Sequence, residues 1–203
     1  MNAALALLAS YLLGAIPTSY LVGRAFRRID LREHGSKNLG ATNLYRTLGW
    51  KYAVPVGLFD IAKGAVPVLV FGPLASTSRL FAIACGVAAV VGHVFSVFVG
   101  FRGGKGVATA AGVMAGIAPL AIAICAVAWI AVVFGTGYVS LGSIVAAALL
   151  PIVVLVLRPG DWQLFTAVAA IAGAVIYLHR ANIGRLAAGT ENRFGRRGTA
   201  PRA

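Results

Sequence analysis

Apolar residues run continuously along this chain, without the alternation of a half-buried strand. The main runs are 3–23, 52–72, 80–100, 107–134, 138–157 and 162–178. A hydrocarbon core about 30 Å thick is crossed by roughly 20 apolar residues in a helix. A membrane β-barrel would alternate apolar and polar positions instead. The pattern therefore predicts an all-α polytopic membrane protein, with residues 1–203 forming one domain. Gly72-Pro73 ends the second run and Arg158-Pro159-Gly160-Asp161 the one before the last. Pro119 and Gly135-Thr136-Gly137 interrupt the apolar segment 107–157, which is too long for one crossing at about 1.5 Å per residue. Three crossings there give seven transmembrane helices in all; a single crossing gives five.

Composition supports the membrane reading. The chain is 60% hydrophobic and 11% charged, whereas soluble domains are about half apolar and about a quarter charged. The formal net charge of +13 is mostly a topology signal, since Lys and Arg collect in cytoplasmic loops. No Lys or Arg precedes the first run, so a secretory n-region is missing. Arg24, Arg27 and Arg28 follow it directly, which predicts the N-terminus outside and the next segment inside. The basic tail from residue 179 is then cytoplasmic, which requires an odd number of spans. Nucleic acid is excluded as a partner, because no basic, aromatic-bearing soluble module is present. Cys85 and Cys125 lie inside apolar runs and read as small buried hydrophobes.

Three polar islands break the pattern, and this topology puts them on one face. They lie in the loop 24–51, the loop 101–106 and the tail 179–203. The first runs from His34 to Arg46. Ser36, Asn38, Thr42 and Asn43 offer neutral hydrogen-bonding groups there, and Gly35 and Gly40 let the backbone approach a ligand. Arg46 adds a planar fork suited to phosphate. The second is Arg102-Gly-Gly-Lys-Gly before an apolar helix, a pattern for an anion nest at a helix N-terminus with Lys105 as a point charge. It is not a Walker A loop, which needs Ser or Thr after the Lys; Gly106 stands there. In the third, His179, Asn182 and Arg185 share one helical face, and Glu191 is positioned to orient a cation. Asp60 and Lys63, three residues apart within a span, are expected to pair in a structural or orienting role, because either alone is expensive in lipid. His93, also within a span, reads equally as a functional group or a packed one. The three His residues are far apart and lack carboxylates at ligand spacing, so no metal is expected.

In order and position these segments resemble the bacterial acyl-phosphate:glycerol-3-phosphate acyltransferase family (PlsY). The matching residues are Ser36-x-Asn38-x-Gly40-Ala41-Thr42-Asn43-x-x-Arg46, Asp60-x-x-Lys63-Gly64, Gly92-His93-x-Phe95, Gly103-Gly104-Lys105-Gly106-Val107-Ala108-Thr109, and His179-x-x-Asn182-Ile183-x-Arg185-Leu186 with Gly189-Thr190-Glu191. Five motifs in register over nearly the full length are highly specific. Two positions depart from the family pattern: Lys37, where glycine is usual, and Ser96, where proline is usual.

The resemblance implies a seven-helix, cofactor-free enzyme of the bacterial inner membrane that acts as a monomer, with its site toward the cytoplasm. It implies transfer of a fatty acyl group from a long-chain acyl phosphate to the 1-hydroxyl of sn-glycerol 3-phosphate, among membrane lipids. Ser36, Arg46, Lys105, His179 and Asn182 are expected to hold glycerol 3-phosphate near the acyl carbonyl. Asn38, Thr42, Asn43 and the backbone of Gly103, Gly104, Lys105 and Gly106 are expected to hold acyl phosphate. The matched Gly40, Thr109, Arg185 and Glu191 complete the expected substrate contacts. A transporter of phosphate or a phosphorylated compound is the rival reading. It would favour repeat-related halves and broken midplane helices, and no internal repeat is visible.

Overall fold

A computed structural model describes residues 1–194; the basic stretch predicted beyond them lies outside the described residues. The chain forms α1 (Ala3–Ala15), α2 (Thr18–Arg27), α3 (Ala41–Leu48) and α4 (Trp50–Val66), the last continued by a π turn (Pro67–Phe71) into α5 (Gly72–Ala75). Then follow α6 (Arg79–Val94), α7 (Val107–Ile117), α8 (Pro119–Thr136), α9 (Val139–Leu157), α10 (Trp162–Leu178) and α11 (Arg180–Ala187). No strand occurs among the described residues.

The expected first span 3–23 is not one rod. It breaks at Ile16-Pro17, and α2 turns 40° from α1. Proline supplies no N–H and forces the preceding residue out of the helical region, so the Ile16 carbonyl is released. Lys63 Nζ takes it at 2.9 Å and the Thr18 amide at 3.0 Å. Four helices among the described residues are long and apolar enough to cross a membrane, or up to six if each bent pair counts as one span. Helix α7, with 11 residues, is short for a full crossing and lines the site with its first turns.

Two helix crossings are made close by glycine. Gly14 lies on the Ala89 carbonyl and Gly92 on the Tyr11 carbonyl, where α1 meets α6. Gly64 lies on the Thr109 carbonyl and Gly112 on the Ile61 carbonyl, where α4 meets α7. Small residues at such crossings let packing drive association where lipid removes the hydrophobic drive. A packed apolar cluster including Met114, Cys125, Leu150, Val154 and Leu164 joins α6 to α10 beneath the site. The outward faces carry Val127, Phe134 and Val156, all exposed, as lipid contact requires.

The expected Asp60–Lys63 pair forms, at 2.7 Å with both side chains buried. Thr18 Oγ1 also donates to Asp60, at 3.3 Å. Ser96 is buried and its hydroxyl donates to the Ala15 carbonyl, so the residue that replaces proline ties α6 to the end of α1. Lys37 is exposed with φ 58°, a conformation that costs a residue with a side chain about 1–2 kcal/mol relative to glycine. The usual glycine is explained by backbone, and the lysine neither crowds the loop nor reaches the cavity.

Candidate active site

A cavity of about 620 Å³ opens among α3, α4, α7, α8, α9 and α10. Its polar end collects residues from all three islands: Ser36, Asn38, Gly40, Thr42, Asn43 and Arg46, then Lys105 and Gly106, then His179, Asn182 and Glu191. Asp60 and His93 also line it. His93 Nδ1 lies 4.0 Å from Asp60 Oδ1.

The first island is shaped by one side chain. Asn43 Nδ2 donates to the carbonyls of Leu31 (3.2 Å), His34 (3.0 Å) and Asn38 (3.0 Å), while its Oδ1 accepts the Ser36 amide at 2.8 Å. The side chain is almost wholly buried. It lines the cavity, with its amide engaged by the loop's own backbone. Asn43 folds the loop that presents Ser36 and Asn38. Gly35 has φ 57° and lies against Asn43 Oδ1, where a β-carbon would collide.

The second island is tied to α6 through its backbone. The amides of Gly103 and Gly104 donate to the carbonyls of Val94 (2.9 Å) and His93 (3.1 Å) at the end of α6. They anchor the loop and are not free to cradle an anion. Gly104 is packed against the His93 ring, with no room for a β-carbon. The first turn of α7 begins just beyond them. Gly106, at φ 76°, starts α7, and Gly106, Val107 and Ala108 line the cavity. First-turn amides have no intrahelical acceptor and favour anions. Thr109 is fully buried at the α4 crossing, outside the cavity lining, with its hydroxyl unpartnered.

The third island holds the second through a chain of hydrogen bonds. Glu191 Oε2 accepts from Arg185 Nε at 2.7 Å. Glu191 Oε1 accepts from Asn182 Nδ2 at 2.8 Å and from the Ser140 hydroxyl at 3.0 Å. With Nδ2 so occupied, Asn182 turns Oδ1 to accept from Lys105 Nζ. Burial opposes ionisation of Glu191, but the bonds from Asn182, Arg185 and Ser140 together hold its carboxyl below the usual range. Arg185 is not among the residues lining the cavity and bonds Glu191 from behind it. Ser140 belongs to this network although it lies in an apolar run, and only its neighbours in space reveal it.

Lys105 is half-buried. Burial pushes its amine down to about 8; the Glu191 charge opposes this, and Arg185 and Arg46 add to it. His179 is pushed down to about 4 by burial and then by the Lys105 charge, against the Val175 carbonyl and Glu191. Its Nδ1 lies 2.8 Å from that carbonyl, which can only accept. The neutral ring therefore carries its proton on Nδ1 and leaves Nε2 as an acceptor.

The segment after α11 closes the site. Arg46 donates to the Asn192 carbonyl at 3.2 Å, the Phe194 ring stacks on Tyr45 at 4.9 Å, and the Phe194 amide donates to Gly137 at 2.6 Å. Away from this polar end the cavity is apolar, lined by Ile122, Cys125, Ala126, Trp129 and Ile130 of α8 at helical spacing. Among the described residues no cluster of metal-ligating side chains occurs.

A cation-rich chamber joined to an apolar cleft fits an amphipathic phosphate ester. The comparisons agree. The glycerol-3-phosphate acyltransferase family profile matches residues 4–189. A glycerol-3-phosphate acyltransferase of Trichlorobacter lovleyi is 48% identical over 91% of this chain and 94% of its own. One from Chlorobaculum parvum is 45% identical over 93% and 95%. The crystal structure of PlsY, an integral membrane glycerol 3-phosphate acyltransferase, in its glycerol 3-phosphate form superposes with a TM-score of 0.89 at 37% identity, covering 95% of this chain and 96% of that one. The lysophosphatidic acid form of PlsY gives 0.85 at 36% identity, with 95% of each chain covered. With its fold and residues 4–189 matched in this way, this multi-pass membrane protein belongs to the glycerol-3-phosphate acyltransferase family.

Proposed function

We propose that this enzyme transfers a fatty acyl group from a long-chain acyl phosphate to the 1-hydroxyl of sn-glycerol 3-phosphate, releasing lysophosphatidate and phosphate. The observation that carries this reading is the convergence of Lys105, Arg46, Asn182 and the first turn of α7 on one chamber. Acyl phosphate already has a good leaving group, so the enzyme must chiefly position two anions and screen their repulsion. Lys105, Arg46 and the α7 amides meet phosphate; Ser36, Asn38 and Thr42 supply neutral contacts. The 1-hydroxyl attacks the acyl carbonyl directly. A carbon–oxygen bond forms, the bond to the phosphate oxygen breaks, and the hydroxyl proton leaves on the released phosphate. Neutral His179 accepts a hydrogen bond from that hydroxyl through Nε2 and orients it. A base held near 4 is poor at keeping a proton at neutral pH.

The whole chain acts as one domain and as a monomer, in a bacterial inner membrane. Seven crossings with the N-terminus outside place the site toward the cytoplasm. The charge distribution supports this. Arg46 and Lys105 line the site and Arg185 bonds Glu191 beside it, while Arg24, Arg27 and Arg28 directly follow the first apolar run. Positive charge favours the cytoplasmic side.

The test is turnover by purified protein in lipid, with lysophosphatidate and phosphate formed in equal amounts. Flux of glycerol 3-phosphate through proteoliposomes without acyl product would instead favour a transporter. The pH profile adds a check. Lys105 binds phosphate as the cation, which is lost as pH rises through about 8. The profile of kcat/KM for glycerol 3-phosphate should therefore fall above that pH, by roughly tenfold per unit in the limit. The Lys105→Arg variant, however slow, should lose this alkaline limb. The same limb in that variant would assign the titration elsewhere.

A further inference from the structure

The apolar arm of the cavity has a definite floor. Cys125 and Leu150 line the cavity and also belong to the packed cluster beneath it. Both are buried, as is Ile171 across from them on α10. The arm begins at Ser140, which is bonded to Glu191 at the polar end. Ser140 and Leu150 lie on the same helix, α9. Their ten-residue separation corresponds to about 15 Å at the usual helical rise. An extended chain advances roughly 1.2 Å per bond, so about a dozen carbons reach from the polar chamber to the floor. One turn above Leu150 stands Ala146, a small residue that keeps the arm open. Ser143 accepts from Trp129 Nε1 at 3.3 Å and fixes the indole along the wall.

We infer that Leu150, with Ala146 above it, sets the length of acyl chain this enzyme prefers. The inference rests on the proposed reaction, because the occupant of the arm is the acyl chain of the donor. A chain whose methyl end meets Leu150 fills the arm; a shorter one leaves it part empty, and a longer one must bend away. One methylene in an apolar pocket discriminates by roughly tenfold or more. Leu150→Ala deepens the arm, and Ala146→Leu shortens it.

The experiment gives purified enzyme in lipid glycerol 3-phosphate and an equimolar mixture of saturated acyl phosphates of ten to eighteen carbons, with products resolved by mass spectrometry. The expected result is a product maximum shifted to longer chains in Leu150→Ala and to shorter chains in Ala146→Leu. Each shift should change the ratio of adjacent products by roughly tenfold. If Leu150→Ala does not fold, Ala146→Leu decides alone, since it adds volume at the lining and not beneath it. A wild-type profile in the folded variants overturns the ruler while leaving the reaction standing. No lysophosphatidate from any acyl phosphate with wild-type protein overturns the reaction, and the ruler with it.

Discussion

Replacing Lys105 by alanine should lower kcat/KM for glycerol 3-phosphate by about 10²–10³, the effect of removing one preorganised donor at a site of developing charge. The ammonium is half-buried beside Asn182 and is the one lysine lining the cavity. The fold should survive. The loss leaves Asn182 Oδ1 without its donor, a cost of about 1–3 kcal/mol, and no core packing is touched. Steady-state kinetics together with a thermal melt in detergent separate these effects. Near-normal turnover would remove Lys105 from the site. An early melt would mean that the Lys105–Asn182–Glu191 chain holds the fold, not the substrate.

Replacing Asn43 by leucine should lower stability as well as activity. Asn43 satisfies the Ser36 amide and the carbonyls of Leu31, His34 and Asn38 from a buried position. Leucine strands these groups, and each buried polar group without a partner costs about 1–3 kcal/mol. A loss near 3 kcal/mol is expected in equilibrium unfolding, after relaxation of the loop. Ser36 and Asn38 then drift. A displacement of about 1 Å at a positioning group can cost roughly 10²-fold in rate. Both the melt and the turnover should therefore fall in this variant. Turnover lost with a wild-type melt would restore Asn43 as a direct substrate ligand.

The contrast between these two residues marks what the sequence could reveal. Both appear as polar groups in islands between apolar runs, and residues of all three islands line one cavity. Polarity does not tell whether a side chain faces a ligand or its own backbone. Asn43, Gly103 and Gly104 look like substrate contacts in the sequence, yet all three make hydrogen bonds within the protein. Ser140 fails in the other direction. It sits in an apolar run at the start of α9, and only the return of Glu191 onto it shows its part. The break at Ile16-Pro17 was legible in principle, because proline frees the preceding carbonyl. The capture of that carbonyl by Lys63, 47 residues on, is a tertiary fact. The Asp60–Lys63 pair, by contrast, follows from a local spacing of three and forms as that spacing dictates.

The central claim is that this chamber uses a phosphate leaving group. It is tested most directly by giving purified enzyme in lipid glycerol 3-phosphate with either palmitoyl phosphate or palmitoyl-CoA, and measuring lysophosphatidate. The account predicts product from palmitoyl phosphate and none from the thioester, whose leaving group lacks the acyl-linked phosphate that Lys105, Arg46 and the α7 amides would hold. Product from palmitoyl-CoA alone would contradict it.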